Sequence, residues 1–101
     1  SEAPTNFALM QNYPNPFNPV TTIRFALPQN AAVTLRVYDI SGREVARIID
    51  GVVYNTGVYS VPFNAGSYSL ASGVYLYRIT ALDASTKSAV FTEVKRMILI
   101  K

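Results

Sequence analysis

The sequence contains no cysteine, no histidine and no tryptophan. Without cysteine the chain forms neither a disulfide nor a thiolate zinc site, and it has no thiolate nucleophile. Without histidine it lacks the commonest general base and the commonest metal ligand, so serine–histidine–aspartate and cysteine–histidine catalysis are excluded within this chain. We therefore expect a protein that is not an enzyme and that binds neither a metal nor a cofactor.

Charged residues and long apolar runs are also scarce. Only 15% of the residues are charged, against about 25% in an average globular protein. The net charge is +3, but basic residues are adjacent only at Lys95 and Arg96, without the clustering typical of a nucleic-acid surface. The longest aliphatic run, residues 97–100, is too short to span a bilayer. We expect no nucleic-acid partner and no membrane-spanning segment.

The length of 101 residues and the 50% hydrophobic content suit one compact domain. Residues 1–8 open with small polar side chains and are interpreted as a linker remnant, which leaves the domain at residues 9–101. The chain starts at Ser1 without a signal-peptide core, so we expect a piece of a longer protein. Three prolines in residues 13–19 (YPNPFNP) exclude a helix and predict a stiff, extended or turning opening segment.

From residue 21 onward, apolar and polar residues alternate with a period of two, which is typical of half-buried antiparallel strands. Residues 52–57 are ambiguous, residues 64–72 are predicted to be a connection of small residues, and Pro62 predicts an edge strand. The predicted strands cover residues 21–27, 32–38, 44–49, 58–63, 74–81 and 89–101. Short strands at this spacing predict an all-β fold, an antiparallel β-sandwich of about seven strands.

Two motifs have structural interpretations. Residues 39–42 (DISG) predict a turn in which Asp39 bonds to the backbone ahead of it and Gly42 takes a positive φ. Residues 70–75 (LASGVY) predict a tyrosine corner, in which Tyr75 bonds to the backbone upstream. In that corner Gly73 lets the chain turn and Leu70 fills the core.

Other sites have weaker support. A glycosidase needs two carboxylates facing each other across a sugar, but Asp39 already has a role in its turn. A calcium site built from Asp39, Ser41 and Glu44 lacks the spaced acidic ligands of a calcium loop. Seven tyrosines and five phenylalanines leave open a sugar-binding platform of exposed rings. The final strand, apolar on both faces at residues 97–100, is either buried on both sides or offered to a partner.

Four segments in order resemble a known family. They are residues 13–19 with residues 22–25 (TIRF), residues 37–45 (VYDISGREV), residues 70–79 (LASGVYLYRI) and residues 95–101 (KRMILIK). This order resembles the C-terminal sorting domain, type A, of the type IX secretion system of Bacteroidetes-type bacteria, over about residues 9–101. The family is related to the immunoglobulin-like domain of the flagellar hook-capping protein, so the resemblance implies an immunoglobulin-like antiparallel β-sandwich of about seven strands.

The resemblance implies a C-terminal signal that directs a larger protein, its N-terminal cargo, through the outer membrane by way of the periplasm. The implied partners are the outer-membrane translocon and a sortase-like peptidase, which usually removes the domain before release or cell-surface attachment of the cargo. Cleavage is expected in residues 1–6. The recognition residues that the resemblance carries over are Pro14, Asn15, Pro16, Gly73, Tyr75, Lys95 and Lys101.

The expected contact elements are the final strand and residues 14–16, because a terminal strand can donate main-chain hydrogen bonds to a partner sheet. The alternatives are a carbohydrate-binding module and a structural spacer, either of them appended to a secreted glycosidase or adhesin.

Overall fold

A computed structural model describes residues 4–101. Within these residues the only helical element is a 3-10 turn, and every pair of neighbouring strands is antiparallel. The strands are β1 (Ala8–Leu9), β2 (Val20–Leu27), β3 (Ala31–Asp39), β4 (Glu44–Tyr54), β5 (Gly57–Asn64), β6 (Gly73–Asp83) and β7 (Ala89–Leu99).

The strands form two sheets, with the order β1-β2-β5 in one and β4-β3-β6-β7 in the other. This arrangement confirms the predicted all-β sandwich of seven antiparallel strands. The order is compatible with immunoglobulin-like sandwiches, in which strands alternate between two sheets, and that finer class stays a prediction. Pro62 lies in β5, at an edge of the three-stranded sheet, as its missing N–H predicts.

The core lies between the sheets and is built from the faces that the alternation predicts. Burying one such aliphatic or aromatic side chain contributes roughly 1.5–3 kcal/mol relative to leaving it exposed. The inward side chains include Ile23, Phe25, Leu27, Val33, Leu35, Val37, Tyr75, Tyr77, Ile79, Met97 and Leu99. On β7 the apolar faces differ, because Met97 and Leu99 are buried whereas Ile100, just beyond the strand, is 52% exposed.

The fourth strand is longer than predicted. It was expected to end at residue 49, because Asp50 and Gly51 look like a strand terminator, yet it runs to Tyr54. Gly51 adopts a φ of +66°, and its N–H donates to Thr34 Oγ1 at 3.1 Å. Register shifts between β3 and β4 absorb the distortion, so pairing resumes at Val52 opposite Val33.

Two local features were not predicted. The small-residue connection contains the 3-10 turn Ala65–Tyr68, whose first turn is capped by Asn64 Oδ1 accepting from Gly66 N. The first pairing residue is Ala8, opposite Ala26, one residue before the predicted domain boundary. Residues 1–3 of the predicted linker lie outside the described residues.

Candidate functional site

All four segments that carry the family resemblance meet at one end of the sandwich. Asp39 pairs with Tyr75, and Tyr75 pairs with Met97, so the second, third and fourth segments lie side by side. Phe17, from the first segment, forms a parallel bridge with Leu99. We call residues 14–17, 39–42, 73–75 and 97–101 the motif end. Segments far apart in the sequence therefore form one continuous surface.

The proline-rich segment covers the outer edge of β7 at this end. Phe17 N–H donates to Ile98 O at 3.0 Å, and Ile100 N–H donates to Phe17 O at 2.9 Å. Between these bonds, Ile98 N–H donates to the side-chain Oδ1 of Asn15 at 2.9 Å. The Phe17 side chain is 2% exposed and lies in the core, which fixes the segment against the strand. The final residues of β7 are thus paired on both edges.

A buried polar cluster holds the opening segment in place. Asn12 Nδ2 donates to Pro14 O at 3.2 Å and to Thr21 Oγ1 at 3.0 Å, and Thr21 Oγ1 donates to Pro14 O at 2.8 Å. Asn12 and Thr21 are buried, so these bonds satisfy groups that would be costly to leave unpaired. Pro14, Asn15 and Pro16 are exposed above this cluster.

Tyr77 anchors the same segment, and sequence reasoning assigned it only to the core. Its Oη accepts from Asn12 N–H and donates to Met10 O, both at 2.8 Å. Burial raises the pKa of Tyr77 to about 12. The available signal was a tyrosine where the apolar alternation needs no hydroxyl, since a buried tyrosine hydroxyl finds a partner.

The tyrosine-corner hydrogen bond is present. Tyr75 Oη donates to Ala71 O at 2.6 Å, four residues upstream. Leu70 is buried, and Gly73 begins β6 opposite Leu99. Ser72 Oγ accepts from Lys101 N–H at 2.9 Å, so the corner also holds the residue after the last strand.

The turn at residues 39–42 is closed by one carboxylate. Asp39 Oδ1 accepts from the N–H groups of Ser41 and Arg43 at 2.9 and 3.1 Å. The hydrogen bond from the Ser41 hydroxyl, followed by that from Arg43 N–H, lowers the pKa of Asp39 below its ordinary value. Gly42 has a φ of +90°, which favours glycine. Asp39 therefore has a local structural role.

Glu44, the possible partner of Asp39 in a catalytic pair or calcium site, is engaged elsewhere. Its carboxylate lies 3.0 Å from Arg47 Nε and 3.6 Å from Arg36 Nε. Among residues 4–101, no three acidic, histidine or cysteine side chains are grouped as metal ligands would be. The carboxylates near this turn thus serve structural ion pairs.

The chain matches the model of a known protein family. Residues 11–93 match the family described as "Secretion system C-terminal sorting domain". The chain belongs to this family of sorting domains. A search of curated proteins finds no match. Its function is that of a C-terminal sorting signal for type IX secretion, so the carbohydrate-binding and spacer alternatives are not favoured.

Membership of this family also implies where the larger parent protein is found. The sorting-domain family is not catalytic, and its parent proteins are secreted or attached to the cell surface. Family membership implies interaction with the type IX machinery. In the part of the sorting domain that the structure describes, no helix has the length and apolarity needed to cross a membrane.

Of the predicted recognition residues, Lys95 lies outside the motif end and the other six lie within it. Asn15, Gly73, Tyr75 and Lys101 lie at the motif end of the sorting domain, with Pro14 and Pro16 flanking Asn15. Lys95 lies earlier in β7, outside the motif end. It is opposite Tyr77, with its Nζ 3.4 Å from the Glu93 carboxylate.

Proposed function

We propose that the type IX translocon recognises the folded sorting domain at the motif end, through exposed side chains of residues 14–16 and of the chain after β7. The supporting observation is the bond from Ile98 N–H to Asn15 Oδ1, which joins the first and last segments into one surface. The parent protein reaches the translocon through the periplasm, and a sortase-like peptidase cleaves within residues 1–6.

The contacts at this end favour recognition of shape and side chains. Phe17 and Asn15 already occupy the outward main-chain groups of Ile98 and Ile100. A partner strand would have to displace them before it could pair there. By contrast, the rings of Pro14 and Pro16 and the side chain of Lys101 are exposed and available to a partner.

A reporter fusion tests whether the domain is sufficient for sorting. Residues 1–101 are joined to the C-terminus of a fluorescent protein with a signal peptide, in a type IX-competent bacterium and in a translocon mutant. We expect surface or medium fluorescence only when the translocon is present. Equal periplasmic retention of a folded fusion in both strains would contradict sorting by this domain.

Two asparagines form a matched pair for testing the motif end. Asn15 Oδ1 accepts from Ile98 N–H, and Asn30 Oδ1 accepts from Thr56 N–H at the opposite end, both at 2.9 Å and both from exposed side chains. Each change to alanine removes one such hydrogen bond, at a cost of about 0.5–1.5 kcal/mol. We expect Asn15→Ala to lower reporter export severalfold and Asn30→Ala to leave it near the wild-type level.

Export that falls equally in both variants would assign the defect to stability and contradict recognition at the motif end. Lys101→Glu probes the same surface without removing a described side-chain contact. Its export is expected to fall with unchanged thermal stability. Lys95 lies earlier in β7, outside the motif end, so Lys95→Glu tests whether recognition extends beyond the motif end.

A further inference from the structure

The outer edge of β7 is covered at one end and open at the other. The outward main-chain groups belong to even-numbered residues, because Ile98 and Ile100 bond to the opening segment, and Arg96 O accepts from Gln11 Nε2 at 2.7 Å. By strand alternation, the main-chain groups of Thr92 and Val94 point the same way. Within residues 4–101 these groups have no hydrogen-bond partner.

The other three sheet edges are shortened or interrupted, whereas this stretch is not. β1 has two residues, β5 contains Pro62, and β4 is interrupted by register shifts. Short edges, prolines and bulges are common protections against strand pairing. Charged side chains also protect an edge, and this stretch carries Glu93, Lys95 and Arg96, so a strand that pairs here must carry charges that complement them. From Phe91 to Arg96 the β7 edge has a regular register and contains neither proline nor glycine.

We propose that a second copy of this chain pairs antiparallel with this edge, with Val94 facing Val94 of the second copy. In that register the outward groups of Val94 bond to each other across the two-fold axis, and those of Thr92 bond to Arg96 of the other copy. The four-stranded sheets of the two copies then form one continuous sheet.

Charge selects this register over its neighbours. With Val94 on the axis, Glu93 lies directly opposite Lys95 of the second copy, in a non-hydrogen-bonded position where side chains are close. Shifting the axis to residue 93 or 95 places like charges opposite each other. Glu93 and Lys95 already lie 3.4 Å apart within one chain, so the dimer places two such pairs side by side, with each charge next to its opposite.

The covered part of the edge limits the size of the interface. Asn15 and Phe17 occupy the strand edge from Ile98 onward, so the paired stretch ends near Arg96. The outward N–H and C=O of Arg96 are usable once Gln11 releases its oxygen, and the 50% exposed Val94 becomes covered. Such a small interface belongs to the weak class, with a dissociation constant on the order of 0.1–1 mM.

Sedimentation velocity of the 101-residue chain tests the proposal, over concentrations from about 10 µM to about 2 mM that bracket this weak range. We expect the weight-average mass to rise with concentration from 11.1 kDa toward twice that value. Glu93→Lys or Lys95→Glu alone places like charges opposite each other twice and is expected to weaken association about tenfold. A chain that stays monomeric throughout would overturn the proposal.

Mixing the two charge variants provides the decisive control. When Glu93→Lys chains meet Lys95→Glu chains, both facing pairs again have opposite charges, so heterodimers should form at the wild-type level. The double variant Glu93→Lys/Lys95→Glu should likewise recover self-association. Failure of both to recover, with circular dichroism showing folded chains, would overturn the register.

Val94→Pro tests the edge separately from charge. The N–H of Val94 points away from β6, so proline removes an edge donor without removing a bond of the β6–β7 ladder. We expect this variant to remain monomeric. In the wild type, hydrogen exchange of the Thr92 and Val94 amides should slow with rising concentration. Concentration-dependent protection elsewhere, with none at these amides, would place the contact on another surface and overturn the proposal.

Discussion

The two ends of the sandwich are closed in different ways. At the motif end, the opening segment pairs with the main chain of β7 and covers a sheet edge. At the opposite end, side chains tie one turn to another: Gln29 Nε2 donates to Asp83 Oδ2 at 2.7 Å, and Thr56 Oγ1 donates to Leu27 O at 2.8 Å. The bonds at the opposite end therefore only close loops. The bonds at the motif end also decide which part of the outer β7 edge remains available for strand pairing.

We expect the largest difference in the free energy of unfolding when one aromatic residue at each end is replaced by alanine. Phe17 is fully packed in the core, whereas Tyr59, beside Tyr54 and Phe25, is only partly buried. Phe17→Ala is expected to cost about 3–5 kcal/mol, because it leaves a cavity and loosens the edge pairing. Tyr59→Ala should cost about 1–2 kcal/mol, because less apolar area is lost.

Urea denaturation followed by circular dichroism measures both free energies of unfolding. Equal losses in the two variants would mean that the opening segment adds nothing beyond ordinary packing.

Removing the Tyr77 hydroxyl is expected to have an intermediate effect. Tyr77→Phe leaves Asn12 N–H and Met10 O without their partner and should cost about 1–3 kcal/mol. The matched control Tyr59→Phe removes one exposed bond to Asn55 O and should cost less.

The same residue predicts an alkaline transition. The pKa of Tyr77 is about 12 in the folded chain and 10.0 in its ordinary state. Folding therefore favours the neutral phenol, whose contribution is complete below pH 10 and is lost as the pH rises toward 12. Stability measured across this range should fall less steeply in Tyr77→Phe than in Tyr59→Phe. Identical slopes would contradict the anchoring role.

We expect the smallest effect on stability, and only at acid pH, from the two turns closed by an aspartate. One contains Asp39 at the motif end, and the other contains Asp83 at the opposite end. Hydrogen bonds led by the Ser41 hydroxyl lower the pKa of Asp39, and those led by the Thr86 and Ser85 N–H groups lower that of Asp83. Both contributions are present above the ordinary pKa of 3.8 and are lost as the pH falls through the lower folded values.

Asp39→Asn and Asp83→Asn should each flatten the acid limb of the stability curve slightly, as measured by thermal melts between pH 2 and pH 5. Because both side chains are only partly buried, the two effects should be similar. A much larger effect at Asp39 would show that its turn is coupled to the rest of the motif end.

Local pattern was enough to predict the strands and their buried faces. In β3, Val33, Leu35 and Val37 alternate with polar residues, and burying one face fixes the direction of every side chain. The pattern did not predict that β4 continues past Gly51, where the Gly51 N–H donates to the Thr34 hydroxyl 17 residues away and main-chain pairing with β3 resumes at Val52.

The parts of the candidate site were predictable, but their assembly was not. Prolines predicted that the opening segment is extended, and the motif at residues 70–75 predicted the tyrosine corner. The bond between Asn15 and Ile98 spans 83 residues, and no local signal predicts where an extended segment will pair. The same limit applies to Tyr77, whose partners lie more than 60 residues upstream.

The parallel pairing of Phe17 with Leu99 has a mechanical consequence. When tension draws the opening segment toward the start of the chain and β7 toward its end, the two segments slide along a shared axis. The bonds from Phe17 N–H to Ile98 O and from Ile100 N–H to Phe17 O are then loaded together, in shear. Tension between Gly73 and Leu99, at the open end of the β6–β7 hairpin, would instead peel the ladder one bond at a time. The domain is thus built to resist force between its two termini.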